Sequence, residues 1–105
     1  PVPLASLPKT GVIAVNDGVD IGALWLYKTD SDMGLAEWFI VNKNAKKTLR
    51  KGVIEALVYE ISRLAKESGY LTITCCVNHV SLIEQLESTG FGFKTSGMTT
   101  MTRIL

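Results

Sequence analysis

The feature that most constrains the fold is a helical stripe set between two β-type segments. Apolar residues recur at spacings of three and four between residues 54 and 65, and charged residues occupy the opposite side of that stretch. The stripe consists of Ile54, Leu57, Val58, Ile61, Leu64 and Ala65. The flanking residues 35–41 and 70–77 are short runs rich in β-forming side chains. A strand, a long helix and a strand in succession predict a right-handed crossover between parallel strands.

Antiparallel strands are predicted before this crossover. Residues 11–15 and 19–27 are apolar runs separated by Asn16-Asp17-Gly18, and an Asp-Gly pair favours the left-handed turn of a β-hairpin. The second run is apolar on both alternating faces apart from Asp20, so we expect it to be covered on both sides.

A second, shorter helix and a final strand pair are predicted after the crossover. Gly69 is a favourable stop for the long helix. Ser81 and Glu84 have the spacing of a capping box, which predicts a helix from Leu82 to about residue 89. Residues 91–94 and 99–105 are expected to form two strands turned at Ser96-Gly97.

The predicted order is therefore β-β-β-α-β-α-β-β, an α+β fold with a mixed, mostly antiparallel sheet. The length of 105 residues predicts a single domain over residues 1–105, of which residues 1–10 form a lead containing three prolines. The whole sequence has the ordinary composition of a globular protein, with 47% hydrophobic residues.

Charge and cysteine content limit the possible partners and location. The formal net charge of +1 gives no indication of a polyanionic partner. Cys75 and Cys76 are adjacent, and a disulfide between strand neighbours would be strained, so we expect reduced thiols in the cytoplasm. No run is long enough to span a bilayer, so no membrane partner is expected. His79 is the only histidine and no Cys/His spacing accompanies it, so no metal site is predicted.

A cluster of cations precedes the helical stripe and indicates a phosphate site. It comprises Lys43, Lys46, Lys47, Arg50 and Lys51, and Gly52 follows it. Free N–H groups at a helix start hold phosphates, and glycine lets the backbone approach them closely. A solvated basic surface is the alternative. A nucleic-acid face is disfavoured because the cluster is short and has no interleaved aromatic residues.

Three polar residues are candidates for chemistry. Glu37 interrupts an apolar strand, where desolvation raises the pKa of a carboxyl group, although an edge or solvent-facing position is the alternative. His79 is either a proton donor or an ordinary loop residue. Asn78 is either a cofactor contact or a residue that bonds its own backbone. Trp25, Trp38, Tyr59 and Tyr70 are expected to be core or half-buried residues rather than residues that stack on a cofactor.

Two stretches of the sequence resemble motifs of the GNAT superfamily of N-acetyltransferases. Residues 35–41 (LAEWFIV), a basic loop and residues 50–57 (RKGVIEAL) are similar to the family's fourth strand and its pyrophosphate loop. Asn78-His79-Val80-Ser81 followed by Gly90-Phe91 is similar to a second family signature. The likeness covers roughly residues 11–105, and the family's first strand and front helices have no counterpart.

The resemblance implies an acyl-CoA-dependent N-acetyltransferase that moves an acetyl group from acetyl-CoA to an amine acceptor. Glu37 would be the base and His79 the proton donor. The residues expected to contact CoA are Ile40, Val41, Leu49, Arg50, Lys51, Gly52, Val53, Ile54 and Asn78, with the pyrophosphate on the amides of residues 51–54. The missing front helices favour a protein as acceptor, unless a second subunit of a homodimer supplies that wall.

Departures from the family motifs support a rival interpretation. Leu49 stands where the family has Gln or Arg, Ile54 where it has a second Gly or Ala, and Leu86 where it often has a Tyr. The alternative is therefore a non-catalytic GNAT-like module that acts by binding a partner.

Overall fold

The chain folds into one mixed sheet with two helices. A computed structural model describes residues 7–92, 94–99 and 101–105, and for Lys47, Thr48, Arg50 and Lys51 it describes the backbone alone. The elements are β1 (Gly11–Asn16), β2 (Val19–Tyr27), β3 (Met33–Val41), α1 (Lys47–Glu67), β4 (Thr72–Thr74) and α2 (Val80–Ser88). The strand order is β1-β2-β3-β4, in which β1–β2 and β2–β3 are antiparallel and β3–β4 is parallel. The predicted α+β class and the mixed, mostly antiparallel sheet are confirmed.

Local signals place the β1–β2 hairpin and the end of α1 where the sequence predicts them. Asp17 and Gly18 have φ values of 49° and 76°, the left-handed pair that a two-residue hairpin turn requires. Gly69 has a φ of 90°, which stops the helix soon after Glu67.

The main core lies between α1 and one face of the sheet, which we call the inner face; the opposite face is the outer face. Its buried members are Ile21, Leu24, Leu26, Ala36, Val53, Leu57, Ile61 and Ala65. The predicted helical stripe is confirmed, because Leu57, Ile61 and Ala65 pack in this core and the remaining stripe residues are buried or packed beside it. A smaller cluster joins α1 to α2 through Ile54, Val58 and Leu86.

Gly22 of β2 allows α1 to approach the sheet closely. A Cβ atom at Gly22 would lie 2.5 Å from Cγ1 of Val53 and 3.2 Å from Cδ1 of Leu57. We expect Gly22→Ala to lower the free energy of unfolding by about 1–3 kcal/mol through overpacking. Gly52→Ala is the matched control, since no atom lies within 4 Å of its added Cβ. In a helix interior that change is expected to stabilise by about 0.5–1 kcal/mol.

Denaturant unfolding of both variants checks this packing. Equal stability of Gly22→Ala and the wild type would contradict the close approach of α1 to β2.

Three expectations about the strands are wrong. The predicted strand over residues 70–77 is limited to Thr72–Thr74, because it pairs with β3 over three residues only. No described residue between 91 and 105 is in a strand, so the expected final strand pair is not formed there. β-Propensity is realised only beside a pairing neighbour. Among the described residues, α1 covers the inner face of β2 and Val19 is exposed, so the expected cover on both sides is not found there.

The second helix begins two residues earlier than predicted. The N-cap of α2 is His79, and no side chain caps the helix. The hydroxyl of Ser81 instead accepts a hydrogen bond from Nε2 of Gln85 at 3.3 Å, so the expected capping box is absent. Within the described ranges, neither helix is long and apolar enough to cross a membrane.

Candidate functional site

An opening lies between β3 and the chain that follows β4. The two strands pair only from Met33 to Leu35 and from Thr72 to Thr74, although β3 continues to Val41. On its other edge β3 remains paired with β2 as far as Val41. The backbone of residues 36–41 therefore has no strand partner on the β4 side within the described chain, which makes that edge available to an extended ligand.

Glu37 lies at the closed end of this opening. Its Oε1 accepts a hydrogen bond from the backbone N–H of Cys76 at 3.0 Å. The Glu37 side chain therefore connects β3 to the chain after β4 at a position where a backbone hydrogen bond between strands would otherwise form. Burial raises the pKa of the Glu37 carboxyl, and hydrogen bonds from the backbone and thiol of Cys76 partly offset that rise. A half-buried carboxylate with a raised pKa is a stronger base than an exposed one, which suits it to accept a proton.

A bulge at Trp38 alters the alternation of β3. Trp25 pairs with Glu37 and Ala23 pairs with Ile40, so Trp38 and Phe39 of β3 together oppose the single residue Leu24 of β2. Trp38 has a φ of 65°, in the left-handed region that a non-glycine residue rarely adopts. Ala36 before the bulge and Phe39 after it both face the inner core. Glu37 and Trp38 are consecutive, yet both lie on the outer face.

Trp38 is held on the outer face by a hydrogen bond across the sheet. Its Nε1 donates to the hydroxyl of Tyr27 at 2.7 Å. Trp38 keeps 46% of its surface exposed and Tyr59 keeps 71%, so the expectation that these two are core or half-buried residues is wrong. The sequence did not indicate that Trp38 lies near the site, apart from its position next to Glu37 in the chain.

The chain after β4 forms the second wall of the opening. Cys76, Asn78 and His79 are exposed there, and Cys75 is half-buried against the smaller core cluster. Burial, aided by the nearby Glu37 and Cys76, raises the pKa of the Cys75 thiol to about 11. Cys75 is therefore a protonated structural thiol at neutral pH. His79 is the N-cap of α2 and follows three residues after Cys76, whose N–H bonds to Glu37.

The start of α1 differs from the prediction. The helix begins at Lys47 with Lys46 as N-cap, so its free N–H groups are those of residues 46–49. The amides of residues 51–54 lie inside the helix and are bonded to carbonyl groups four residues back, so the predicted pyrophosphate contact with them is wrong. An apolar stripe marks only the packed part of a helix, and the polar residues before it extend the same helix.

The other residues predicted to contact CoA fall into three groups. The side chains of Arg50 and Lys51 lie outside the described residues. Those of Val53 and Ile54 are only 2% and 3% exposed and belong to the core, so they are not available to a ligand. The remaining positions, Ile40, Val41, Leu49, Gly52 and Asn78, are exposed or half-buried.

Leu49 borders a shallow cavity beside the start of α1. The cavity has a volume of about 340 Å³ and is lined by the β1–β2 turn and by the loop before α1, including Asn42, Asn44 and Lys46. It lies on the β2 side of the helix start, whereas the opening at Glu37 lies on the β4 side. In the described part of the chain, no group of three or more His, Cys, Asp or Glu side chains is placed to hold a metal ion.

Comparison with solved structures identifies the fold. No protein-family model matches the sequence, and no curated protein matches it. A ribosomal-protein-alanine N-acetyltransferase from Brucella melitensis biovar Abortus 2308 superposes with a TM-score of 0.68 at 16% identity, over 88% of this chain and 70% of that one. The aminoglycoside N-acetyltransferase AAC(6')-Iy in complex with CoA gives 0.66 at 20% identity, over 90% and 75%.

A third structure matches a smaller part of its own length. The aminoglycoside acetyltransferase meta-AAC0020 from an uncultured soil metagenomic sample, in complex with sisomicin, gives a TM-score of 0.63 at 14% identity. This chain covers 64% of that enzyme, less than two thirds, while 90% of this chain is matched. The chain thus has the fold of acetyltransferases, and the GNAT-like architecture predicted from the sequence is confirmed.

Proposed function

We propose that the chain is an acyl-CoA-dependent N-acetyltransferase that transfers an acetyl group from acetyl-CoA to an amine. The observation that carries the proposal is the opening beside β3, with a half-buried carboxylate of raised pKa, Glu37, at its closed end. The likeness to a solved acetyltransferase in complex with CoA supports it. Two free cysteines support a reducing, cytoplasmic location.

The cofactor is proposed to lie along the unpaired edge of β3. The pantetheine arm would pair with the backbone at Ile40 and Val41, as an added strand does. The pyrophosphate would accept hydrogen bonds from the free N–H groups at the start of α1, near Leu49, with Arg50 and Lys51 supplying positive charge. Asn78 would contact the cofactor from the opposite wall.

The chemical step is proposed to use both walls of the opening. The acceptor nitrogen gives a proton to Glu37, directly or through water, and attacks the thioester carbon. A C–N bond forms and the C–S bond breaks, while the backbone N–H near Val41 stabilises the oxyanion. The CoA thiolate takes a proton donated by His79, and solvent restores both side chains.

Charge at the start of α1 is expected to determine CoA affinity. Changing Arg50 and Lys51 together to Ala should weaken CoA binding by about 1–3 kcal/mol, the scale of charge-assisted hydrogen bonds. Isothermal titration measures this affinity. The control changes Arg63 and Lys66 to Ala at the other end of α1, where Arg63 pairs with Glu60 and Glu67 on the surface. That control should keep the wild-type affinity for CoA.

The same titration tests the proposed function. The absence of heat with both CoA and acetyl-CoA at millimolar concentration would favour the rival, a non-catalytic module that binds a partner. Burial of Ile54 in the core at 3% exposure supports that rival, because this position resembles one where the family carries Gly or Ala.

A further inference from the structure

Cys76 is an exposed cysteine at the closed end of the opening beside β3. It follows the last residue of β4 by two positions, and it is the more exposed of the two free cysteines. Its neighbour Cys75 is half-buried against the smaller core cluster, where burial raises the pKa of the thiol to about 11. The two adjacent thiols therefore differ in access, and that of Cys76 is the one a ligand can reach.

Both donor groups of Cys76 bond to the carboxylate of Glu37. The backbone N–H donates to Oε1 at 3.0 Å, and the thiol also donates a hydrogen bond to the carboxylate. The backbone bond fixes the position of the residue, so its sulfur is held beside the carboxylate. A nucleophile within hydrogen-bond reach of a base is the arrangement that activates cysteine for covalent catalysis.

Burial makes Glu37 a stronger base than an exposed carboxylate. Desolvation raises the pKa of its carboxyl and outweighs the hydrogen bonds from Cys76. A general base removes the thiol proton while the sulfur attacks, so the thiol need not be ionised beforehand. The proposed function uses this carboxylate for an amine, whereas the nucleophilic group that the structure shows bonded to it is the thiol.

The thiol also borders the space proposed for the acyl donor. The backbone of residues 36–41 has no strand partner on the β4 side within the described chain. In the proposed function the pantetheine arm pairs at Ile40 and Val41, and the pyrophosphate lies at the start of α1. The thioester end of the arm is then directed toward Glu37 and Cys76.

We propose that Cys76 is a second nucleophile of this site, which takes the acetyl group of a thioester donor when no amine is bound. The product is an acetyl thioester on Cys76. The inference rests on the proposed function, in which the donor is acetyl-CoA, and it adds an activity that direct transfer to an amine does not require.

The exchange is balanced within the site. Sγ of Cys76 attacks the thioester carbon of the donor while the thiol proton passes to Glu37. A C–S bond to Cys76 forms, the C–S bond to the donor breaks, and Glu37 returns the proton to the departing sulfur. One thioester replaces another, so the step needs no oxidant or further reactant, and the free thiol of the donor reverses it.

The test measures acetylation of the purified chain in the absence of an amine. The donors are acetyl-CoA and the S-acetyl thioester of N-acetylcysteamine, which carries no nucleotide. Mass spectrometry of the acid-quenched chain and of its peptides is expected to show one acetyl group on Cys76, removable by neutral hydroxylamine as a thioester is. The same chain unfolded in urea gives the uncatalysed rate, which should be at least about tenfold lower.

Three variants separate the roles of the neighbouring groups. Cys76→Ala should abolish the hydroxylamine-sensitive acetyl group, whereas Cys75→Ala is the matched control and should keep the wild-type rate, because that thiol is half-buried. Glu37→Gln leaves the Cys76 thiol in place and should lower the rate of thioester formation by about tenfold or more. Isothermal titration of Cys76→Ala with CoA should give the wild-type affinity, since the variant removes the nucleophile alone.

The outcomes separate this inference from the proposed function. An acetyl group on Cys75 or on lysines alone, equal rates in Glu37→Gln and the wild type, or no thioester with either donor would overturn the inference. Acetylation of an amine without any acetyl group on Cys76 would support the proposed function and refute the inference. Acetylation of Cys76 by the small donor, with no binding of CoA, would do the reverse.

Discussion

Glu37→Gln is expected to lower acetyl transfer by about 10²–10⁴-fold, the usual contribution of a general base. Glutamine keeps the size of the side chain and can still accept the hydrogen bond from the N–H of Cys76, so the opening should persist. Affinity for CoA should hardly change, because the carboxylate is proposed to face the amine and not the phosphates. Acetylation rates with amine acceptors and titration with CoA measure the two effects separately.

The pH profile gives a second readout of the same residue. The wild-type rate should fall as pH decreases through the raised pKa of Glu37, above its ordinary value of 4.5, because protonation removes the base. This acidic limb should be lost in Glu37→Gln, and its residual rate should rise with pH as more of the acceptor is deprotonated. Glu55→Gln on the exposed side of α1 is the matched control and should keep the wild-type profile.

The stability of Glu37→Gln should change with pH in the direction given by linkage. A carboxyl whose pKa is higher in the folded state stabilises the fold below its unfolded pKa, and this stabilisation is lost as pH rises through the folded value. The variant should therefore melt at a higher temperature than the wild type near pH 7, and the difference should close below about pH 4.5.

The acetylation rates decide the role of Glu37. Equal acetylation rates in Glu37→Gln and the wild type would rule out Glu37 as the base.

Leu24→Ala is expected to lower the free energy of unfolding by about 2–5 kcal/mol. Leu24 is fully buried beneath α1, at 0% exposure, so its removal leaves a cavity that the packed helix cannot fill. A small domain has a total stability of only about 5–15 kcal/mol, so this variant is expected to be only marginally folded. Urea unfolding at 25 °C followed by far-UV circular dichroism measures the change.

Ile13→Ala is the matched control for the core. Ile13 lies on the neighbouring strand with 60% of its surface exposed, on the outer face. Its truncation should change stability by about 0.5 kcal/mol or less. A loss similar to that of Leu24→Ala would contradict an exposed outer face.

Local sequence signals predicted the parts of the fold that short stretches determine. Asp17 and Gly18 form the hairpin turn because their backbone preference does not depend on distant contacts. The stripe from Ile54 to Ala65 becomes the buried side of α1 because a 3.6-residue repeat places those residues on one face. The interruption of an apolar strand was enough to select Glu37 as the residue of interest.

The ends of strands and helices that depend on a neighbouring element were predicted less well. The residues from 70 to 77 all favour a β-strand, yet only Thr72–Thr74 form one, since a strand extends only as far as its partner accompanies it. The start of α1 at Lys47 was missed because the polar residues before the stripe extend the helix without packing against the sheet.

The site itself was decided by tertiary structure. Glu37 accepts its hydrogen bond from Cys76, 39 residues away, and this contact exists only because β3 and β4 separate after Leu35. Trp38 reaches Tyr27 on the outer face because a mismatch in register with β2 inserts a bulge, which no alternation pattern in β3 alone reveals. The sequence therefore determined the type and order of the elements from β1 to α2 and which carboxylate to examine. Pairing between strands decided where those elements end and what surrounds the carboxylate, because register and bulges depend on contacts between distant segments.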